Sequence, residues 1–393
     1  MGKSFSVDRS VKLTIIGYVS LTFLGYFTIG LSLAVLPVFV HDQLGYNTVI
    51  AGSVIGVQYV STFLLRIFAG RMVDKYGPKL VVLCSMGSFI ISNLCLILAF
   101  ALYKNPVYSL GVLVLSRLLT GCAEGFIGAS PINWAMLRVG NQYTANAISY
   151  NGIATYSAMA FGAPLGVLLS QSIGNWLVGI AGMLLAGLAL WLTIIKKPLY
   201  GVKTETDTPF FKVFKTVVPY GLGLGLAGIG FATISTFITL FFNFKQWGHA
   251  AIGITAFSVL FVVGRLVFTK SIITYGGIRI TIFSMIIECI GLFIIGIAPD
   301  PYIAIVGCAL AGLGFSIVFP ALGVVAVDKV PESSKGMGLG AYGVFSDLSL
   351  GVTGPLVGFV SKEWGMQHIF WFSCFMVLAG IVLCSLLLKK HPQ

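Results

Sequence analysis

The chain contains few charged residues. Only 9% of its 393 residues are Asp, Glu, Lys or Arg, whereas soluble globular domains carry about a quarter. It has four scattered histidines, and its seven cysteines include no C-x-x-C pair. These shortages argue against a soluble fold, a disulfide framework and a metal cluster. We therefore expect no metal and no cofactor.

The chain is rich in apolar residues, since 57% of its residues are hydrophobic. Runs of roughly 20 apolar residues, enough to cross a bilayer as a helix, recur about twelve times, and their continuity contradicts the alternation of a barrel. We predict an all-α membrane protein with twelve transmembrane helices. Spans 1 to 12 are predicted at 12–40, 47–70, 80–102, 107–138, 142–172, 176–195, 216–244, 250–269, 278–297, 302–327, 335–361 and 366–388.

The net charge of +12 raises the question of a nucleic-acid partner. Basic residues, however, cluster at alternate loops. If the N-terminus is cytoplasmic, 18 of the 24 basic residues lie at the cytoplasmic ends of the spans, and only three lie at the outer ends, Lys104, Lys245 and Lys362. The positive-inside rule then predicts cytoplasmic termini in a cell inner membrane. The expected partner is a lipid bilayer and not nucleic acid.

The segment 196–215 is the only long polar interruption, and it divides the chain into an N-terminal six-helix bundle (1–195), a cytoplasmic linker (196–215) and a C-terminal six-helix bundle (216–393). The two parts repeat. Gly152 precedes Pro164 by 12 residues, as Gly343 precedes Pro355, and "GFIGASP" in span 4 matches "GFSIVFP" in span 10. Two six-helix pseudo-repeats predict a substrate site between the halves, near the middle of the membrane.

Three motifs resemble those of known transporters. "GRMVDKYGPK" (70–79) resembles the loop signature of the major facilitator superfamily at Gly70, Asp74, Gly77 and Lys79. "GAPLG" (162–166), with Gly162 and Pro164, is similar to the antiporter motif of drug:proton exporters, with an extra alanine. Longer strings, including "DLSLGVTGPL" (347–356), resemble the bacterial YhhS/YfcJ-type efflux permeases. The resemblance implies the fold of this superfamily and a proton-driven exporter in the bacterial inner membrane.

The motif residues Gly70, Asp74, Gly77, Gly162 and Pro164 are therefore gating candidates. Gly70 and Gly77 would permit tight turns. Asp74 would face the positive N-terminal end of span 11 when the halves close at the cytoplasmic surface. The alternative is a solvated turn that only orients the protein.

Three acidic residues fall inside spans, namely Glu124, Glu288 and Asp347. A charge near the bilayer centre costs ~2.5–3.5 kcal/mol, so such residues are functional by default. We predict that Asp347 and Glu124 couple proton movement to transport, with Arg117 on the helix face of Glu124. The alternative for Arg117 and Glu124 is a static pair, joined directly or through water. For Glu288 we expect a structural hydrogen bond.

The repeat also relates charged and polar positions. Arg66 and Arg265 each stand 11 residues before a glycine, and Asp347 aligns with Tyr156. Both arginines lie near the predicted cytoplasmic ends of their spans, where a long side chain can snorkel to the interface without further function.

Polar side chains in or near the spans are candidates for binding a polyhydroxyl or zwitterionic substrate. Helix–helix hydrogen bonds, worth ~0.6 kcal/mol on average, would explain each of them equally well. The candidates are Tyr26, Gln58, Asn151, Tyr156, Thr236 and Asn243.

These features predict a monomeric, proton-coupled secondary transporter that exports a small polar molecule such as a sugar, a drug or a zwitterionic metallophore. Proton-coupled uptake is the alternative, because a proton-binding carboxylate serves either direction. A membrane enzyme and a non-transporting sensor are further classes. We find no nucleophile with a local base, so we do not expect an enzyme.

Overall fold

The computed structural model describes residues 9–140, 143–200, 210–269, 271–331 and 334–390. All regular structure in these ranges is helical, and twelve spans are long and apolar enough to cross a membrane. The helices of spans 1 to 12 are, in order, Arg9–Leu33 with Leu36–Val38 and a π-helical turn Phe39–Gln43; Thr48–Tyr76; Pro78–Ala101; Pro106–Ile127 with Ser130–Val139; Thr144–Ser172; Asn175–Ile195; Phe210–Phe244; Ala250–Phe268 with Ser271–Tyr275; Gly277–Ile297; Pro301–Phe315 with Val318–Asp328; Lys335–Trp364; and His368–Lys390.

The predicted twelve-span fold is confirmed. Because the chain crosses an even number of times, span 1 begins and span 12 ends at one face, which we call the terminal face. The other is called the opposite face. The largest departures from the predicted bounds are of six residues. The helix of span 2 ends at Tyr76, that of span 8 reaches Tyr275, and that of span 7 begins at Phe210 and so extends into the predicted linker.

Proline positions explain the breaks in spans 1, 4 and 10. Spans 1, 4 and 10 break after Leu33, Ile127 and Phe315. A proline lacks a backbone N–H, and its ring clashes with the carbonyl group four residues earlier. Each break lies four or five residues before a proline, at Pro37, Pro131 and Pro320. The breaks in spans 4 and 10 come at related positions, as expected for a duplicated unit.

The turn between spans 2 and 3 tests the expectation for two motif glycines. Gly77 has φ of +80°, and a Cβ there would lie 2.9 Å from the carbonyl oxygen of Leu199. The tight turn is therefore confirmed at Gly77. The expectation of a tight turn is wrong at Gly70, which lies inside the helix Thr48–Tyr76 with open space around it. The side chain of Asp74 lies outside the described residues, so its gating role stays a prediction.

The "GAPLG" segment packs span 5 against span 1 within the first half. A Cβ on Gly162 would lie 2.8 Å from the carbonyl oxygen of Phe27, and one on Gly166 would overlap the carbonyl group of Leu31. Pro164 lies inside the continuous helix Thr144–Ser172. Small residues let the two backbones approach closely, which accounts for the glycines of this segment by packing. A gating role for Gly162 and Pro164 stays a prediction.

Spans 2 and 11 form a close contact between the two halves. A Cβ on Gly354 would lie 2.1 Å from the carbonyl oxygen of Gly52. At the start of span 2, Thr48 donates a hydrogen bond of 2.8 Å to the carbonyl oxygen of Gly358. Since span 2 begins at the opposite face, the halves are packed together towards that face.

Candidate functional site

An ion pair crosses between the halves further along the contact of spans 2 and 11. Arg66 Nη1 lies 2.9 Å from Asp347 Oδ2, and both side chains are largely buried. Gly343, one turn before Asp347, leaves room for the guanidinium, since a Cβ there would lie 3.3 Å from Arg66 Nη1. Within the described chain no donor is aligned to hydrogen-bond Asp347 Oδ2. The attraction between these groups is therefore one of charge.

This pair corrects the expectation that Arg66 snorkels to the membrane surface. The apolar run of span 2 ends near residue 70, but its helix continues to Tyr76. Arg66 consequently lies almost three turns inside the helix, where its side chain is directed towards span 11. The sequence predicts a role for Asp347 but does not identify Arg66 as its partner.

Arg117 and Glu124 are linked through Gln58 in the first half. Gln58 Nε2 donates to Glu124 Oε2 at 2.8 Å, and Arg117 Nη1 donates to Gln58 Oε1 at 3.3 Å. Thr62 donates a further hydrogen bond of 3.1 Å to the same Glu124 oxygen, and Arg117 donates one of 3.0 Å to Ser32. The described structure has no direct ion pair between Arg117 and Glu124. An amide side chain joins the two charges that the sequence expected to pair directly or through water.

Tyr156 and Arg265 form a second contact between the halves. The Arg265 guanidinium carbon lies 4.9 Å from the centroid of the Tyr156 ring, and a Cβ on Gly152 would lie 3.3 Å from Arg265 Nη2. The Tyr156 hydroxyl group lies 3.3 Å from Ser346 Oγ on span 11. Span 5 of the first half is thereby attached to spans 8 and 11 of the second. Arg265 is buried and does not snorkel, contrary to expectation.

The two arginine contacts are related by the repeat. Arg66 and Arg265 occupy matching places on spans 2 and 8, and each guanidinium crosses to the other half. Their partners Asp347 and Tyr156 are 191 residues apart, as are the adjacent glycines Gly343 and Gly152. The duplicated unit has therefore produced the same arrangement twice, with a carboxylate in one copy and a phenol in the other.

The four remaining predicted binding residues, Tyr26, Asn151, Thr236 and Asn243, occupy different places. Tyr26 is buried within electrostatic reach of Glu124, Arg66 and Asp347. Asn151 accepts a hydrogen bond of 2.7 Å from Thr22, which explains it as a contact between spans 5 and 1. Thr236 is buried in span 7.

Asn243 is separate from this group. It lies at the opposite face, where its Nδ2 donates to Asp42 Oδ2 at 3.1 Å and joins the ends of spans 1 and 7. Both residues line a cavity of about 550 Å³, together with His41 and Trp247. The structure therefore places Asn243 at one end of the bundle. It is separate from the buried contacts of Gln58, Arg66, Arg117, Glu124, Tyr156, Arg265 and Asp347, which we call the central layer.

Glu288 departs from its expected role. It is 1% exposed, and neither of its carboxyl oxygens has a hydrogen-bond partner among the described residues. The expected structural hydrogen bond is therefore wrong. The neighbouring Cys289 Sγ lies 2.9 Å from Cys374 Sγ. The described residues contain no group of three His, Cys, Asp or Glu side chains that could hold a metal ion.

Comparison with known proteins places the chain in a family. The Major Facilitator Superfamily profile matches residues 18–272 and again 222–393. An uncharacterized MFS-type transporter of Burkholderia mallei (strain SAVP1) is 44% identical over 384 residues, covering 98% of this chain and 94% of that protein. One from Pseudomonas aeruginosa (strain UCBPP-PA14) is 46% identical over 388 residues, covering 99% and 96%.

Solved structures show the same fold at low sequence identity. The nucleoside transporter NupG is similar with a TM-score of 0.74 at 15% identity, covering 96% of this chain and 99% of that one. A D-xylose-proton symporter gives 0.75 at 15% identity, with 96% and 97% covered. The chain therefore belongs to the Major Facilitator Superfamily, whose members transport small solutes across membranes and are not enzymes.

Proposed function

We propose that the protein is a proton-coupled secondary transporter that exports a small polar molecule by alternating access, with Asp347 as the principal proton-binding group. The observation that carries this proposal is the Arg66–Asp347 ion pair, because it joins the two halves by a charge that a single proton can remove. A carboxylate within a helical bundle that meets its counter-ion on the other half is suited to couple protonation to movement of the halves.

The strength of the pair suits such a switch. Two unit charges 2.9 Å apart attract each other by on the order of 5 kcal/mol at an effective dielectric constant of about 20. A two-state equilibrium moves from 1:99 to 99:1 with ~5.5 kcal/mol. Protonation of Asp347 would remove most of this attraction, and Arg66 would then no longer hold span 2 to span 11. Because desolvation of two buried charges offsets part of this attraction, the net change is smaller than the gross figure, and its sign favours separation of span 2 from span 11.

We further propose that the units that move are the two six-helix bundles, residues 1–195 and 210–393, joined by the segment 196–209. The carboxylate of Glu124, held by Gln58 and Thr62, would be a second proton site whose charge Arg117 balances. Tyr26, Gln58 and Tyr156 would contact substrate from the central layer, Asn151 and Thr236 from the adjoining walls, and Asn243 at the opposite face.

The direction of transport is proposed from the motifs. The "GAPLG" segment and the resemblance to YhhS/YfcJ-type permeases favour export, from a monomer in the bacterial inner membrane with the terminal face in the cytoplasm. One proton moving inward through ~100 mV supplies about 2.3 kcal/mol. Since each 1.4 kcal/mol is a factor of ten, one proton per substrate sustains a gradient of roughly 50-fold. The substrate classes that fit are a sugar, a drug or a zwitterionic metabolite.

The test compares Asp347→Asn with a matched control, Glu363→Gln. Glu363 is an acidic residue on the same helix, but it is exposed, and among the described residues it pairs only with the adjacent Lys362. Small molecules in the medium of cells expressing equal amounts of each protein are compared with those of the wild type. We expect a compound that wild type and Glu363→Gln export and Asp347→Asn does not.

Proteoliposomes then decide coupling and direction. The identified compound is added to one side of the membrane. If the protein is an antiporter, protons should move towards that side, opposite to the compound. If it is an uptake symporter, protons should move away from that side together with the compound. Equal export by wild type and Asp347→Asn would remove Asp347 from the mechanism. Transport without proton movement would remove proton coupling altogether.

A further inference from the structure

Arg265 is a buried cation without a counter-ion. The residue is 5% exposed, and its Nη1 atom has no hydrogen-bond partner. No described carboxylate lies within ion-pair distance of it. A buried charge that has no counter-ion, with one guanidinium nitrogen left without a partner, is strongly unfavourable. The position therefore requires a reason other than stability.

The groups around Arg265 are aromatic and carry no negative charge. Its guanidinium lies 4.9 Å from the ring centroid of Tyr156 and 5.9 Å from that of Phe261. The titratable groups that act on it are the phenols of Tyr156 and Tyr342, which are neutral near pH 7. Cation–π contacts attract a guanidinium, but they leave its charge uncompensated.

The other two arginines of the central layer differ in this respect. Arg66 is paired with Asp347, and Arg117 is joined to Glu124 through Gln58. The described central layer thus holds three cations and two carboxylates, and Glu288, the remaining buried carboxylate, is not within ion-pair distance of any of these cations. In the repeat, Tyr156 occupies the position that corresponds to Asp347. The negative charge that Arg265 lacks is therefore the one that an aspartate would supply at this position.

An apolar wall adjoins this cation on the second half. The Phe231 and Phe315 rings are stacked with centroids 5.0 Å apart, and both contact Phe261 at 6.4 and 6.1 Å. Phe257 extends the group at 5.8 Å from Phe231. These rings come from spans 7, 8 and 10 and meet next to Tyr156. A ligand bound at Arg265 would therefore have aromatic faces beside it.

We propose that Arg265 binds the carboxylate of the transported molecule, and that the phenylalanine wall binds an apolar part of the same molecule. The substrate class is thus an organic acid with an aromatic or bulky apolar body. The substrate supplies the charge that Asp347 supplies to Arg66 in the related contact. This assignment rests on the proposed transport function and names the substrate class of that site.

The test measures binding by thermal stabilisation of the full-length protein in nanodiscs. The probes are phenylacetate, phenylpropionate and naphthylacetate, each beside its neutral amide and its amine analogue. We expect at least one carboxylate to stabilise the wild type in a saturable manner, whereas the matched amide and amine do not. Arg265→Met should weaken carboxylate binding by about tenfold or more, the effect of losing one charge-assisted hydrogen bond.

Three further variants separate charge from general damage. Arg279→Met removes one positive charge from an exposed position at the start of span 9 and should bind like the wild type. Arg265→Lys keeps the charge and should retain part of the binding. Tyr156→Glu keeps Arg265 but gives it an internal carboxylate, so it should abolish carboxylate binding even if Arg265→Met fails to fold.

Two results would overturn the proposal. One is that carboxylates and amides stabilise the wild type equally, or that neither stabilises it. The other is undiminished carboxylate binding in Arg265→Met or Tyr156→Glu. Asp347→Asn should still bind the carboxylates while losing coupled transport. Failure of this substrate class is thereby distinguished from failure of proton coupling.

Discussion

Replacement of Gly354 by alanine should separate spans 2 and 11 at the opposite face. The added Cβ would lie 2.1 Å from the carbonyl oxygen of Gly52 and 2.8 Å from its carbonyl carbon. Ordinary van der Waals contact begins at 3.4 Å, so the two backbones would have to part by roughly 1.3 Å at this point. No flexible side chain can yield, because both contacting groups are main chain.

The expected size of the effect follows from packing energies. Overpacking by a methyl group costs about 1–3 kcal/mol. The cost falls only on the conformation in which spans 2 and 11 touch, and it does not affect a conformation in which the opposite face is open. The open population should therefore rise by roughly 5- to 150-fold.

Thiol labelling in nanodiscs measures this population without assuming an orientation in the cell. In a background without the seven native cysteines, Thr239→Cys places a single thiol at a buried position, next to a cavity of about 200 Å³ that Asn243 also lines. A membrane-impermeant maleimide reaches it only when the ends of the spans separate. With rapid opening and closing, the labelling rate follows the open population and should rise by the same factor.

Gly340→Ala is the matched control, since it lies on the same helix and a Cβ there meets nothing within 4 Å. Its labelling rate should equal that of the parent protein. An equal rate in Gly354→Ala and Gly340→Ala would refute the reasoning, because the glycine contact would then not hold this face closed. A faster rate in both would point instead to a general loosening of span 11.

Three further outcomes follow from the described contacts. Gln58→Leu should lower the free energy of unfolding by about 2 kcal/mol or more, because two buried charges lose their bridge; an unchanged melting temperature would contradict this. Gly77→Ala should destabilise by about 1–2 kcal/mol, since its positive φ disfavours a side chain, whereas Gly70→Ala in open helix should not; equal melting temperatures would refute the distinction. Glu288→Gln should leave export intact, and loss of export would show that this unpaired carboxyl group carries a proton.

Much of the fold was predictable because it depends on local composition. Twelve apolar runs gave twelve spans, and the prolines of the duplicated "GFIGASP" and "GFSIVFP" segments mark where spans 4 and 10 break. The sequence predicts the start of span 7 six residues too late, because Lys212 and Lys215 do not prevent the helix from extending beyond the hydrocarbon core.

The site was predictable only in part because its contacts join residues far apart in sequence. Asp347, Glu124 and Arg117 were identified since a charge inside an apolar run is rare. The sequence predicts Arg66 near the membrane surface because the apolar run of span 2 ends close to it. Its true position depends on a helix that continues to Tyr76 and on a neighbour 281 residues later in the chain. Hydropathy carries neither piece of information.

The repeat supplies the link between the two proposed roles. Duplication gave each half an arginine that crosses to the other, beside a glycine that leaves room for it. The partner is a carboxylate in one contact and a phenol in the other. Near neutral pH a proton can cancel the charge of a carboxylate, but a phenol has no charge to cancel. Only the Arg66 contact can therefore respond directly to a proton. The Arg265 contact must respond to something else that carries negative charge, and in a transporter the molecule that enters between the halves is the substrate.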